Sequence, residues 1–233
     1  MKPLRVLLFD VFGTVVDWRG SLTDLAEQTA SRAGVRADWA AVIDDWRRAY
    51  QPAIDQIRQG ADWRDLDCLQ RETLTGVLAQ RKVQMSAADR ETLVQGWRQL
   101  RPWPDSRSGL DRLRRKFVTA TLSNGHLALL ADLLKFADLR VDAVLSAQLA
   151  GSYKPDPDVY LKALELLQCP PGQAGMVAAH ASDLRAAAAL GLRPIFVRRP
   201  LEWGPGTPQA DPPELDGLLE AAGLDHLAGS LGC

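Results

Sequence analysis

Apolar residues fall along this chain in two rhythms. The first is a near-continuous run, Arg5-Val6-Leu7-Leu8-Phe9, that stops at Asp10-Val11-Phe12-Gly13-Thr14. A run of that kind reads as a strand buried on both faces, as in a parallel sheet. From position 21 to about 104 the spacing turns helical and strand signals are absent. Leu22, Leu25, Ala26 and Ala30 share one helix face, Val42, Trp46, Ala49 and Tyr50 a second, and Leu66, Leu69, Leu74, Val77 and Leu78 a third. A fourth helix starts near Ser86, with Asp89 three positions on as a weaker relative of a capping box, and runs through Leu93 and Trp97. Pro102-Trp103-Pro104-Asp105 closes the stretch, since each proline blocks helix continuation.

Beyond that boundary the pattern alternates. It predicts helix 110–115, strand 117–122, helix 126–136, strand 141–145, helix 157–167, strand 176–179, helix 184–190 and strand 194–197. The stretch 200–214 is rich in proline and reads as surface loop before a short helix near 215–222. The expected fold class is therefore α/β: a Rossmann-like parallel-sheet core formed by residues 1–16 and 105–233, with an inserted α-helical cap at 17–104. Five of the seven tryptophans (Trp18, Trp39, Trp46, Trp63, Trp97) fall in the insertion or at its entry, enough aromatic area to fill a small helical core.

Composition narrows the partners. At 233 residues the chain can bury a full core, and 46% apolar with 24% charged residues is ordinary for a globular protein. A formal net charge of −1 supplies no general attraction to nucleic acid or to a membrane, which leaves small molecules as the expected partners. Cys68, Cys169 and Cys233 are odd in number and far apart, a pattern of reduced thiols rather than of disulfides or a zinc site. With no signal-peptide region and no long uncharged apolar stretch, the expected location is cytoplasmic.

Chemistry is expected at the carboxyl ends of the strands, where ligands sit in open parallel sheets. Four places there carry polar groups: Asp10 with Thr14, Ser123-Asn124-Gly125, Lys154, and His180 with Asp183. Singly, each has a plain alternative: a turn-forming Asp before Gly, a turn and helix cap at Ser123 and Asn124, a solvated lysine. Together they converge on one edge of one sheet. Lys154 is also braced by Pro155-Asp156-Pro157, where Asp156 has the features of an N-cap and Pro157 those of a first helical residue.

Asp10-Val11-Phe12-Gly13-Thr14, Thr121-Leu122-Ser123-Asn124-Gly125, Lys154-Pro155-Asp156-Pro157-Asp158-Val159-Tyr160 and the segment ending in Asp183 resemble, in order and spacing, the four signature motifs of the haloacid dehalogenase superfamily. The helical insertion resembles that superfamily's cap domain, and the narrower pattern is similar to type II (S)-2-haloacid dehalogenases. The resemblance implies cofactor-free hydrolysis of small (S)-2-haloalkanoic acids, haloacetates such as fluoroacetate among the candidates, to 2-hydroxy acids and halide. Asp10 would attack the carbon bearing halogen and form an ester that water then opens. Lys154 would keep Asp10 ionised, and Thr14 would orient it. Ser123 and the backbone amides of Val11 and Phe12 would receive the substrate carboxylate. Asn124 and the cap residue Arg47 would receive halide, with Tyr160 also in the binding set. A homodimer is expected on the same ground.

Departures from the wider superfamily are as informative. Most members are magnesium-dependent phosphatases whose first motif is Asp-x-Asp, and the second Asp moves a proton; here that position is Phe12, which cannot. The fourth motif has Ala179 where a metal-ligating Asp is expected, so the oxygen set that Mg²⁺ prefers is reduced and no metal is expected. Halide leaves without a general acid. Better-known type II enzymes carry Ser-x-Asn-x-x-Asp in the fourth motif, positioning the hydrolytic water; here those places hold Ala178 and His180, with Asp183 retained. A neutral His180 is expected as hydrogen-bond partner or base toward water, or as a halide contact, with a structural histidine as the plain alternative. Two other readings stay open: a Mg-dependent phosphatase or phosphonatase-like hydrolase, and a non-catalytic anion-binding domain.

Overall fold

Strand β1 (Val6–Phe9) is buried along its whole length, so neither face can meet water and the strand must lie inside a sheet. The structure, a computed structural model, describes residues 3–233; the first two positions of the expected core segment lie outside the described residues. After β1 come β2 (Val16–Asp17), α1 (Trp18–Ala33), α2 (Trp39–Arg58), α3 (Leu66–Gln80), α4 (Ala87–Gly96) and β3 (Arg101–Pro102). Next are α5 (Ser106–Leu113), β4 (Val118–Ser123), α6 (Leu127–Phe136), β5 (Ala143–Ser146) and α7 (Pro157–Leu166). The chain finishes with β6 (Ala174–Ala178), α8 (Ala181–Ala189), β7 (Arg193–Val197), β8 (Leu219–Ala221) and α9 (Leu224–Ser230).

Six strands form one parallel sheet in the order β5-β4-β1-β6-β7-β8. The chain builds outward from β1 to β4 and β5, then crosses back to add β6, β7 and β8 on the other side. That reversal makes the carboxyl end of β1 the topological switch point, where a crevice opens between diverging connections. The α/β fold expected from the alternating pattern is the fold observed.

Three local expectations are corrected. The first helix starts at Trp18 rather than 21, because the Asp17 side chain accepts the Gly20 N–H at 2.8 Å and caps it there. Residues 101–102 are a strand, pairing antiparallel with Val16 and Asp17 to clasp the two ends of the helical insertion; two residues carry no period for a sequence to display. The helix expected near 215–222 is not present. Leu215, Leu218 and Leu219 have helical spacing, but residues 219–221 meet the open edge of β7, and backbone pairing there makes a strand, with the helix beginning only at Leu224.

Helices α1 to α4 pack on one another, α1 and α3 each against both α2 and α4. Asp17, Asp38, Asp65 and Ser86 cap the four N-termini through side-chain oxygens. Trp97, just past α4, is the meeting point of the aromatic residues. Its ring lies edge-on to Trp46 at 5.7 Å, stacks on Trp18 at 6.4 Å, and meets Phe12 edge-on at 5.3 Å. Phe12 therefore does more than replace an acid: it anchors the turn after β1 to the helices above it. Two polar ties join the same layers. Arg98 reaches Asp132 of α6 at 3.2 Å, and the Tyr153 hydroxyl donates to the Arg64 carbonyl at 2.6 Å.

Truncating a tryptophan buried among three other rings leaves a cavity that collapses poorly. Trp97→Ala is expected to cost about 3–5 kcal/mol. In urea titrations this reads as a lowered midpoint at unchanged slope; an unchanged midpoint would remove Trp97 from the set of residues holding the layers together.

Candidate active site

Asp10 follows β1 directly, and its N–H donates to the Val177 carbonyl of β6 at 3.0 Å, so the sheet itself sets its backbone. Its carboxylate is buried and meets three partners. The Thr14 hydroxyl donates to Oδ2 at 2.7 Å, the Lys154 ammonium donates to Oδ1 at 3.0 Å, and His180 Nδ1 lies 3.1 Å from Oδ2. Thr14 is fixed in turn, since its oxygen accepts the Ala179 N–H at 2.9 Å and its proton is left to point at Asp10. Burial alone would raise the Asp10 carboxyl; Lys154 above all, then His180 and Thr14, outweigh it and hold the group far below the usual carboxylate range.

Lys154 also donates to Asp183 Oδ2 at 2.5 Å, so one ammonium bridges two buried carboxylates. Burial works against its charge, but Asp10 and Asp183 together hold it above the ordinary lysine value. Asp156 caps α7 by accepting the Asp158 N–H, with Pro157 at the first turn, so the loop bearing Lys154 ends on a fixed helix. Asn124 ties the same loop from the other side: Oδ1 accepts the Lys154 N–H at 2.7 Å and Nδ2 reaches the Lys154 carbonyl at 3.4 Å. Asp183 is completed by the Tyr160 hydroxyl, which donates to Oδ1. Burial pushes Asp183 up and Lys154 pulls it down, leaving it raised; Tyr160 is raised by burial and by the Asp183 charge beside it.

The expected neutral His180 is corrected. Its Nε2 lies 2.9 Å from Glu202 Oε1 and its Nδ1 faces Asp10, so each ring nitrogen points at a carboxylate oxygen. Ionised carboxylates only accept, so both nitrogens must carry protons and the ring is an imidazolium. Burial disfavours that charge, but Glu202 and Asp10 outweigh it and push the group up to about 10. Glu202 is buried, also accepts the Trp18 indole N–H at 3.1 Å, and is held below the ordinary glutamate value by His180 despite its burial. Its carboxylate fills the space beside Gly13, where an added Cβ would lie 2.2 Å from Oε1; Gly13 also has φ +88°, which favours glycine.

A cavity of about 380 Å³ opens over these groups. Asp10, Phe12, Asn124, Lys154, Tyr160, His180 and Asp183 line it from the sheet side, and Arg47 and Tyr50 of α2 from the helical side. The Arg47 guanidinium lies over the Trp18 and Tyr50 rings at 5.5 and 5.1 Å. Of the residues expected to bind substrate, Ser123 and Val11 do not line this cavity. Ser123 is fully buried at the end of β4 with its hydroxyl accepting the Gly125 N–H, so it shapes the turn that presents Asn124. Thr14 stands behind Asp10 rather than in the cavity. A larger groove of about 940 Å³, lined in part by Leu4, Arg193, Ile195 and Leu219, lies at the opposite ends of the strands and carries none of these groups.

Three residues were not singled out from the pattern. Tyr50 belongs by its spacing to a buried helix face, and it is buried, at the point where that face meets the cavity. Glu202 and Arg199 lie at the start of a stretch, and just ahead of it, that reads as surface loop, yet both are buried. Arg199 donates to the Thr14 carbonyl at 2.8 Å and to Asp105 at 2.9 Å, pinning the turn after β1. No local spacing marks either residue.

The site does not fit a magnesium ion. Phe12 and Ala179 offer no side-chain oxygen, and Asp10 Oδ2 is already taken by the Thr14 hydroxyl and by His180 Nδ1. Among the described residues no group of three or more His, Cys, Asp or Glu is arranged to hold a metal, and no helix is long and apolar enough to cross a membrane.

A family profile for haloacid dehalogenase-like hydrolases matches residues 4–191. Among solved structures, the L-2-haloacid dehalogenase PA0810 is 41% identical with a TM-score of 0.92, covering 98% of both chains. The defluorinating L-2-haloacid dehalogenase Rha0230 is 36% identical with a TM-score of 0.94, covering 99% of this chain and 96% of its own. (S)-2-haloacid dehalogenase 4A of Burkholderia cepacia is 28% identical over 238 residues, which span 99% of this chain and 93% of that protein.

The His180 charge has a consequence for stability. Its folded pKa lies above the ordinary 6.5, so between about 6.5 and 10 the folded protein binds a proton that the unfolded chain releases. The contribution is fully present below that window and is lost as pH rises through it. The difference in Tm between the wild type and His180→Gln is therefore expected to narrow steadily from pH about 6.5 to about 10; a difference that stays constant across that window would mean a neutral histidine.

Proposed function

The chain belongs to the haloacid dehalogenase-like hydrolases, and from that premise we propose that it hydrolyses the carbon–halogen bond of small (S)-2-haloalkanoic acids through an ester on Asp10. The observation that carries this reading is the Asp10 carboxylate held ionised by Lys154 beneath a small cavity, with Phe12 where a proton donor would stand. An ionised carboxylate with Phe12 in place of the acid of the phosphatase motif suits a leaving group that departs as an anion. The relatives named as 2-haloacid dehalogenases support the same substrate class, and the defluorinating one places fluoroacetate among the compounds to assay.

In the proposed reaction an Asp10 oxygen attacks the carbon in line with the halogen, and the C–halogen bond breaks with its electron pair leaving on the halide. Configuration at that carbon inverts once. Arg47 and Asn124 are the candidates to receive the halide, with Arg47 brought in by the helices that we take as a cap spanning 17–104. The backbone amide of Phe12, which lines the cavity, is the candidate to hold the substrate carboxylate. Water then attacks Cγ of the ester. Asp183, raised by burial and steadied by Lys154 and Tyr160, is the candidate to take the water proton and pass it to the departing alkoxide. Asp10, left as a carboxylic acid, releases the second water proton to solvent and ends as it began, and the product is the 2-hydroxy acid. No step passes through a metal. A homodimer in the cytoplasm is the assembly and location this reading carries forward.

A single turnover of (S)-2-chloropropionate with excess enzyme in ¹⁸O-water tests the route. Label is expected in the Asp10 peptide and not in the first product, because the product oxygen comes from Asp10. Label going straight into the first product would mean direct attack by water. Asp10→Asn is expected to lower kcat by about 10⁴-fold or more, as removal of a nucleophile does, while chelators leave turnover unchanged.

A further inference from the structure

The two oxygens of Asp10 are not equivalent. Oδ1 has one donor, Lys154, whereas Oδ2 has two, the Thr14 hydroxyl and His180 Nδ1. An oxygen with fewer donors is the freer nucleophile, so Oδ1 becomes the ester oxygen and Oδ2 the ester carbonyl. Resting on the aspartyl-ester reading above, we infer that Thr14 and His180 form the oxyanion site for hydrolysis of that ester, and that Glu202 is the positioning residue that keeps His180 donating there.

Geometry carries this assignment. Water attacking Cγ drives the carbonyl π pair onto Oδ2, which is where the Thr14 O–H and His180 Nδ1–H already point. The water proton goes to Asp183, the Cγ–Oδ1 bond breaks, and the alkoxide takes that proton; the resulting Asp10 carboxylic acid releases its own proton to solvent. Forming the ester removes the Asp10 charge, so His180 loses one of its two counter-anions just before its N–H is needed. Glu202 remains, its carboxylate accepting the Nε2 proton at 2.9 Å and fixed in place by Trp18. A His180 acting instead as base would have to give up the Nδ1 proton and turn a lone pair toward the carbonyl oxygen. The charged groups around the ring are Asp10 after β1, Glu202 after β7, Lys154 reached through Asp10, Asp183 on its own helix, and Arg47 and Arg199, whose charges act on Glu202.

The distinguishing readout is the decay of the ester as a function of pH. In Glu202→Gln, His180 falls toward the ordinary value of about 6.5. Rapid quench is then expected to give a stoichiometric burst of halide followed by ester decay slowed about 10–100-fold, less than the roughly 10²–10³-fold that outright removal of an oxyanion donor costs. The decay rate should fall as pH rises through the new His180 pKa, and the Asp10 peptide should carry the substrate mass during the burst. A decay rate that instead rises with pH, with the ester still present, makes His180 a base and overturns the inference while leaving the ester route intact. Absence of the ester mass, with ¹⁸O from solvent entering the first product, overturns both. The wild type supplies a check that needs no variant: both ring nitrogens of His180 are expected to be protonated by ¹⁵N NMR at about pH 8, where an ordinary histidine is neutral. An unprotonated ring nitrogen there overturns the inference.

Discussion

Lys154 carries its ammonium group into the interior, where Asp10 meets it at 3.0 Å and Asp183 at 2.5 Å. Burying a charge is costly, and removing one member of such a set leaves its partners uncompensated at about 3–5 kcal/mol. Much of the surrounding structure serves to keep the three groups together. The sheet register fixes Asp10, the capped start of α7 ends the loop that carries Lys154, Asn124 holds that loop through two backbone groups, and Tyr160 satisfies the far oxygen of Asp183.

The helical layer is coupled to this cluster at two places. Phe12, two residues after Asp10, packs edge-on to Trp97, which in turn contacts Trp18 and Trp46. Tyr153, immediately before Lys154, donates to the Arg64 carbonyl and stacks on Trp63 at 6.5 Å. Residues adjacent to the nucleophile and to its cation are therefore among those that hold the helices down, beside the Arg98–Asp132 and Trp18–Glu202 ties. Any displacement of those helices acts on Asp10 and Lys154 through one or two peptide units, while Arg47 and Tyr50, which roof the cavity, ride on α2 itself.

Much of this arrangement was legible in residue order. Continuous burial marks β1, and an Asp at its end stands out because strands of a parallel sheet deliver their last residues to the ligand side. Lys154 was legible through the capping pattern after it, and Asp183 through its place at the start of α8. What stayed hidden depends on tertiary contact alone. β8 forms because an edge of β7 is open to it, against the helical spacing of its own residues. Glu202 sits between Leu201, largely exposed, and Trp203 in a proline-rich stretch, and nothing local distinguishes it from a solvated glutamate. Its role arises because Gly13 has no side chain and Trp18 supplies a donor from the opposite layer. The charge of His180 was hidden for the same reason, since it is set by Glu202.

These charges form a pattern that makes sense of the whole site. Lys154 is shared between Asp10 and Asp183, and His180 between Asp10 and Glu202. Each cation has two carboxylates, and Asp10 is the member common to both pairs. In the proposed reaction Asp10 is also the first carboxylate to lose its charge, when it becomes an ester and before Asp183 takes a proton from water. A cation whose sole partner was Asp10 would at that moment be buried and unpaired, with a cost of several kcal/mol raising the energy of the intermediate. Here each keeps a second partner that takes no part in the bond being made. The nucleophile can therefore pass from anion to neutral ester while the charges around it stay where they are, which is the preorganisation that lets fixed donors act without rearrangement.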